Sequence, residues 1–450
     1  MNIVPDFIRR HIAHRPNLLK IVDNIGWLFF DKVLRMGVGL VVVVWIARYM
    51  GPQQFGIFNF ATAFVGLFGA VAGIGLQAIV VRDLVRDPSR KNETLGTAAA
   101  LLLMGGLLTY VLTICAIILI RPEDTLAKLL VTILGSVTLL KATDIVVYWF
   151  ESQVLSKYTV WVQNGSFLVF AVVKITLILS DAPLLAFAWA SSAEALLIAI
   201  LLTAMYSKYG PGVLKLSATF SRAKSLLTDC WPLMLSGLAI VIYMKIDQIM
   251  LGLMLGDEAV GIYSAATQIS EIWYFIPMII MASVFPAIMD GKKQGEIIYY
   301  ERLQRLYDLM VWLSVLIAIP MTFIAAPLVT LLYGNAYEEA GKVLAIHIWA
   351  SVFVFLGVAS SQWFIAENRQ MLSFQRTLAG AITNIILNII LIPYLECQGA
   401  AIATVLSYSI VAFFFDFFQK ETKSMFRMKL RALNMKSSLN NCLDQIKRKS

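Results

Sequence analysis

The sequence predicts an all-α integral membrane protein, with twelve transmembrane helices in two six-helix bundles related by a pseudo-two-fold along the membrane normal. Three observations predict it. Of 450 residues, 59% are hydrophobic and only 14% charged; soluble domains run near 45–50% apolar and about 25% charged. Apolar stretches recur from about residue 25 to about 418, each roughly 20 residues or more, enough to cross ~30 Å of hydrocarbon as a helix. A short segment repeats 205 residues later, at the same place in each half.

The spans fall at about 25–47, 55–80, 96–120, 128–150, 159–179, 183–206, 231–255, 262–288, 308–332, 344–366, 371–394 and 398–418. This divides the chain into an N-terminal segment (1–24), a first bundle (25–206), a linker (207–230), a second bundle (231–418) and a basic tail (419–450). The connections sort by charge. One side carries the N-terminus, the loops near 81–95, 151–158, 207–230, 289–307 and 367–376, and the tail. It holds 28 of the 37 lysines and arginines; the other side holds four. Cytoplasmic loops collect Lys and Arg, so both termini should be cytoplasmic. The tail then reads either as a solvated topology anchor or as a segment drawn to anionic headgroups.

The repeat sets Met50–Ala63 against Leu255–Gln268. Gly51/Gly256, Gly56/Gly261, Ile57/Ile262, Ala61/Ala266 and Thr62/Thr267 are identical, and Phe58/Tyr263 similar. Each segment is the outer turn between the first two spans of a six-span half. Six is even, so the halves share one orientation, and such halves commonly rock around a central site.

Several classes are excluded or disfavoured. The chain leaves no room for a soluble catalytic or nucleotide-binding domain. It lacks GxxxxGK[ST], HExxH and GxSxG. His11, His14 and His347 do not cluster, and Cys115, Cys230, Cys397 and Cys442 have no metal spacing. No cofactor, metal site or nucleic-acid partner is expected, and no cleaved signal peptide. The outer loops are short, unlike those of a glycosyltransferase or polysaccharide polymerase.

At the repeat the sequence resembles a known group. Ala47-Arg-Tyr-Met-Gly-Pro-Gln-Gln-Phe-Gly-Ile-Phe58 is similar to the signature of Wzx-type polysaccharide flippases. These belong to the MOP superfamily, with the MATE drug exporters and the lipid II flippases. Gly75-Leu-Gln-Ala-Ile-Val-Val-Arg-Asp-Leu84, Ile246-Asp-Gln-Ile-Met-Leu-Gly252, Val260-Gly-Ile-Tyr-Ser-Ala-Ala266, Phe285-Pro286 and Gly399-Ala-Ala-Ile-Ala-Thr404 fit as well, in order, over about 25–418. The resemblance implies a MATE-like fold that breaks no covalent bond. It would move an undecaprenyl-diphosphate oligosaccharide to the outer leaflet of a bacterial inner membrane by alternating access, for O antigen, lipopolysaccharide, capsule or exopolysaccharide. Polymerase and chain-length proteins of the same pathway would be its partners. An ion-coupled exporter of small amphiphiles is the alternative; a major-facilitator carrier is disfavoured, since GxxxDRxGRR is absent from 81–95.

Charges inside spans are the candidate site, because each costs ~2.5–3.5 kcal/mol at mid-helix. Arg35, Lys141 and Lys245 lie near their span centres. They are expected to hold the diphosphate, Arg bidentately and Lys as a point charge. Arg48 and Lys174 lie nearer the outer surface, where they would receive it later or anchor the helix end. Asp31, Asp144, Glu194, Asp247 and Glu271 are candidates for coupling to H+ or Na+. Glu194 has no base near it on its own helix, which makes it the leading raised-pKa carboxyl. The competing reading is pairing: Asp31 with Arg35 at i,i+4 and Lys141 with Asp144 at i,i+3. Gly66, Gly69, Gly73 and Gly75 punctuate span 2, and Pro277 and Pro286 span 8. They mark either close packing or bending.

Overall fold

The computed structural model describes residues 16–434 except 74, 211, 213–215 and 368. The first 15 residues and the tail beyond Asn434 lie outside the described residues. The helices are α1 (Pro16–Ala72), α2 (Leu76–Arg86), α3 (Lys91–Ile120), α4 (Thr125–Gly135), α5 (Asp144–Ser152), α6 (Lys157–Leu179), α7 (Leu184–Tyr209) and α8 (Phe220–Met254). Then come α9 (Asp257–Glu271), α10 (Phe275–Gln294), α11 (Glu296–Tyr333), α12 (Glu338–His347), α13 (Ala350–Ala366), α14 (Gln370–Ser409), α15 (Phe415–Phe418) and α16 (Lys423–Leu433).

Among the described residues, nine helical stretches are long and apolar enough to cross a membrane, or ten if the bent pair Asn335–His347 and Ala350–Ser361 is one span. Two of the stretches are broken inside. Gly51 interrupts α1 at φ 69°, and Glu396 interrupts α14 at φ 49°. Large apolar side chains face outward, Leu119, Leu179 and Phe323 among them, while Asp247, Asn384 and Asn388 are buried. In water that distribution would expose a large apolar surface; in lipid it is the expected one. This is a multi-pass membrane protein.

The chain divides into two compact units, Met1–Met50 with Ile57–Val241, and Gly51–Gly56 with Ile242–Ser450. The division falls inside α8, downstream of the 207–230 linker expected from the sequence.

In the first unit, one core joins Leu76 and Val80 of α2, Leu95 and Leu102 of α3, Phe150 of α5, Tyr206 of α7 and Leu226 of α8. The 128–150 span is not one α-helix. Ser136–Thr143 is a 3-10 segment of eight residues between α4 and α5, where such runs rarely exceed three or four. A close approach accompanies it: Thr138 Oγ1 donates to the Gly106 carbonyl at 3.1 Å, and a Cβ on Gly106 would strike the Thr138 carbonyl. The linker's end is strapped down. Thr219 Oγ1 donates to Glu93 at 2.6 Å, Arg222 reaches Asp83 at 2.7 Å, and Arg82 reaches Asp229 at 2.6 Å. In span 2, close packing accounts for Gly75, whose Cβ would lie 2.9 Å from the Met234 nitrogen. It does not account for Gly66, Gly69 or Gly73, which have open space; the helix ends at Ala72 beside them.

In the second unit, the core joins Tyr307 and Met310 of α11, Phe355 and Phe364 of α13, and Met425 and Met428 of α16. The repeat is visible in backbone angles. Gly51 (φ 69°, ψ 171°) and Gly256 (φ 99°, ψ −178°) take the same positive-φ turn, accessible to glycine and costly for other residues. The turns also touch reciprocally. A Cβ on Gly56 would strike the Asp257 carbonyl, and one on Gly261 the Pro52 carbonyl. Positions 52 and 257 are themselves 205 apart, so the contact is symmetric.

Two basic residues do not sit where the loop assignment put them. Arg376, assigned to the 367–376 loop, lies within α14 and is buried with its guanidinium 4.5 Å above the Phe364 ring. Lys429, assigned to the solvated tail, is fully buried against Asp416. Arg376 is reached because the span's helix already starts at Gln370, and Lys429 because a separate helix, α16, follows the turn after Phe418 and packs against the core; charge counting registers neither.

Candidate functional site

In the first unit α1 carries Asp31 and Arg35 one turn apart. Arg35 Nε donates to Asp31 Oδ1 at 2.7 Å and to Asn164 Oδ1 of α6 at 3.2 Å. Phe167, one turn on, places its ring 5.5 Å from the guanidinium. The i,i+4 pairing therefore forms, yet it occupies only one edge of the guanidinium: buried Nη2 has no hydrogen-bond partner. Such an orphan donor is costly inside a span and leaves the planar fork able to grip an anion.

Lys141 sits on the 3-10 segment and pairs with Asp144 at 3.1 Å. A 3-10 turn eclipses i and i+3, which is why this pair closes. Both line a cavity of about 350 Å³ with Gln77, Tyr148 and Gln163. That lining offers amide, hydroxyl and charged groups at once, a surface suited to hydroxyl-rich ligands. Gln163 and Asn164 come from one turn of α6, so a single helix serves both the Lys141 cavity and Arg35. Neither amide was singled out in the sequence; two adjacent carboxamides in an apolar run were the available signal.

Lys174 and Glu194 meet between α6 and α7 at 2.9 Å, both largely buried. This corrects two expectations. Glu194 indeed lacks a base on its own helix, but α6 supplies one, and Lys174 turns inward rather than toward the membrane surface. Lys174 also lines a small cavity of about 130 Å³ with Phe167, Phe187 and Ser191. Removing one partner of such a pair leaves an uncompensated charge, at up to roughly 3–5 kcal/mol. We therefore expect Glu194→Ala to lower the melting temperature in detergent and added Lys174→Ala to recover most of the loss. Equal melting of wild type and Glu194→Ala would refute the pairing. Arg48 is exposed and makes no ion pair among the described residues.

In the second unit Lys245 of α8 approaches Glu271 of α9 at 3.9 Å, a loose pair. Asp247, two residues on, points elsewhere and is buried. Its Oδ2 accepts from Tyr263 Oη at 2.7 Å and from Thr404 Oγ1; its Oδ1 accepts from Asn388 Nδ2 at 2.6 Å. Asn388 Nδ2 also reaches Asn384 Oδ1 at 3.1 Å. Among the described residues no cation pairs with Asp247. Asn388 Oδ1 is buried without a partner. The hydrogen-bond donors around this buried carboxylate are all neutral. The two asparagines, one turn apart in an apolar stretch, were the sequence signal for this shell.

The model of the polysaccharide biosynthesis protein family matches residues 21–292, more than half the chain. The chain belongs to the polysaccharide biosynthesis protein family. The MatE family model matches residues 232–390, the region that includes Lys245, Asp247 and Asn388. Among curated proteins, this polysaccharide biosynthesis protein is similar to a probable low-salt glycan biosynthesis flippase of Haloferax volcanii, 23% identical over 85% of this chain and 80% of that one. It is also similar to a capsular polysaccharide biosynthesis protein of Staphylococcus aureus, 19% identical over 89% and 99%. Among solved structures, the lipid II flippase MurJ in an inward closed conformation superposes with a TM-score of 0.67 at 15% identity, over 92% of this chain and 91% of that one. An inward-facing multidrug MATE transporter of the MOP superfamily gives 0.66 at 14%, over 90% and 95%. These structures share the fold.

Proposed function

We propose that this member of the family is a flippase. It carries an undecaprenyl-diphosphate oligosaccharide from the cytoplasmic to the periplasmic leaflet by alternating access, without covalent chemistry. The observation that carries the reading is Arg35: a guanidinium inside a span, held by Asp31 and Asn164, with one buried donor unpartnered. A lipid diphosphate brings about two negative charges that hydrocarbon rejects, and an Arg fork meets phosphate oxygens bidentately. Lys141, with its polar cavity, supports contact with sugar hydroxyls. Arg48 is a later phosphate contact, whereas Lys174 is engaged by Glu194; in the second unit Lys245, loosely paired, is a phosphate contact of its own. The glycan relatives support the cargo class, with O antigen, capsule or exopolysaccharide as its destination and polymerase and chain-length proteins as downstream partners.

Twelve crossings follow if the bent pair Asn335–His347 and Ala350–Ser361 is one span and α1 and α14 are each counted as two at their internal breaks. The Lys and Arg bias supports both termini in the cytoplasm of a bacterial inner membrane. For coupling, Asp247 is the residue of choice, binding H+ or Na+ in its shell of Tyr263, Asn388 and Thr404. Asp31, Asp144, Glu194 and Glu271 each have a basic partner, which weakens their claim. An ion-coupled exporter of small amphiphiles is the second reading, favoured by the MatE match across the Asp247 region.

The test uses purified protein in liposomes with a fluorescent undecaprenyl-diphosphate oligosaccharide and an impermeant reagent outside. Wild type should transfer the lipid under an ion gradient. Folded Arg35→Ala should fall by at least about tenfold, since a charge-assisted hydrogen bond is worth ~1.5–3 kcal/mol. Wild-type transfer by Arg35→Ala would overturn the site. No transfer by wild type, with efflux of amphiphilic cations instead, would favour the second reading.

A further inference from the structure

A buried seam runs between the two arms of α14, 370–392 and 397–409, which meet at the Glu396 break within the second unit. On the first arm Asn388, Asn384, Gly380 and Arg376 recur every four residues, and all are buried; that spacing puts them on one face. The second arm runs on into a π-helical turn, Ile410–Phe414, and presents Thr404, Ser407 and Val411 in the opposite order. Asn388 and Thr404 both donate to Asp247. Asn384 Nδ2 donates to Ser407 Oγ at 3.2 Å, and a Cβ on Gly380 would strike the Val411 side chain.

The seam changes character along its length. Amides and hydroxyls line it from Asp247 to Ser407. Gly380 and Val411 then close it with hydrocarbon against backbone, and one turn further stands Arg376. From Asn388 to Arg376 the helix rises about 18 Å. Arg376 is only 4% exposed, with its guanidinium 4.5 Å above the Phe364 ring. Its one hydrogen bond, to the Gly357 carbonyl, is long at 3.5 Å, and buried Nε and Nη1 have no partner. Asp416 is within electrostatic reach, yet it is engaged by Lys429 at 2.6 Å. Among the described residues no carboxylate pairs with Arg376, so two buried cations share one buried anion. An uncompensated charge in a span is costly and points to function rather than packing.

On the reading of Asp247 as the coupling residue, on which this rests, we propose that Val411 and Arg376 form a seal that keeps the coupling cation from leaking out of its site along the seam. The polar half of the seam is open to a proton or Na+ that leaves Asp247, and passage without cargo would waste the gradient. A tight apolar contact excludes water, and a fixed positive charge repels a cation; pores reject ions by the same two devices. The missing partner is then explained. A guanidinium neutralised by a carboxylate would raise no barrier.

The experiment uses the full-length protein in liposomes without cargo lipid. Proton entry is followed with a trapped pH-sensitive dye and sodium entry with a trapped sodium dye, each under an imposed gradient, with chloride flux recorded alongside. Wild type should be tight. Arg376→Gln, which removes an uncompensated buried charge, should pass the coupling cation at least about tenfold faster, the effect of a like charge about 10 Å away at an effective dielectric of about 20. Val411→Ser should leak as well. Arg376→Lys keeps the charge and should stay tight, a rescue that a structural arginine would not allow because lysine lacks the planar fork. Asp247→Asn/Arg376→Gln should be tight again, since the leak starts at Asp247. Chloride flux should stay at the wild-type level throughout, whereas a damaged bundle would pass both signs. A tight Arg376→Gln, a leaking Arg376→Lys, or a leak that survives Asp247→Asn would overturn the seal. Cargo transfer by Asp247→Asn with wild-type gradient dependence would strike the coupling reading and the seal with it; a tight Arg376→Gln beside an uncoupled Asp247→Asn strikes the seal alone.

Discussion

Asp247→Asn is expected to abolish ion-driven transport while leaving the protein folded and at least as stable. The carboxylate is buried and its partners are Tyr263, Thr404 and Asn388, all neutral. A carboxamide has nearly the same shape, and exchanging a buried acid for it removes a charge that the site must otherwise offset. A purely structural acceptor would tolerate the exchange with little loss of function. A coupling residue would not, because the variant has no charge to bind H+ or Na+. Transfer in liposomes should lose its dependence on the ion gradient and fall at least about tenfold, a difference of ~1.4 kcal/mol. Melting temperature should no longer respond to the coupling ion, since stabilisation by a ligand requires binding. Gradient-dependent transfer at the wild-type rate would remove Asp247 from the mechanism and leave it a structural role.

Gly261→Ala should be among the most damaging single-methyl additions. The new carbon would meet the Pro52 carbonyl, which is backbone and cannot rotate aside as a side chain would. Overpacking of this kind costs roughly 1–3 kcal/mol, occasionally more, and the rigid obstacle puts this site at the upper end. Lower yield and a melting temperature reduced by several degrees are the expected results. Gly237→Ala, where a Cβ would meet nothing within 4 Å, is the control and should behave as wild type. If both variants melt together with wild type, the turn contact is not close in the working protein.

The fold was largely legible before the structure was known. Apolar run length follows bilayer thickness, so the all-helical, multi-pass character could be read, although nine or ten spanning stretches rather than twelve stand among the described residues; the repeat survived in the residues whose backbone needs glycine. The site was legible only as a list of charges. Asp31–Arg35 and Lys141–Asp144 are local, so spacing exposed them. Lys174–Glu194 joins two helices, and no spacing rule reports which faces meet. Asp247 stood out by its motif, but its shell is drawn from α9 and α14, 16 to 157 positions away. The 3-10 segment under Lys141 and the burial of Lys429 share a cause: hydropathy registers polarity along the chain, while tertiary contacts decide local geometry.

The paired contact of Gly56 and Gly261 also limits how this gene can change. When two side chains touch, a larger one on one side can be matched by a smaller one on the other, and the two positions drift together. Here each glycine abuts a carbonyl, and neither position has an atom left to give up. No second-site change within the turn can restore the space. Two positions 205 residues apart are therefore each intolerant of a side chain on their own account, neither with a compensating partner.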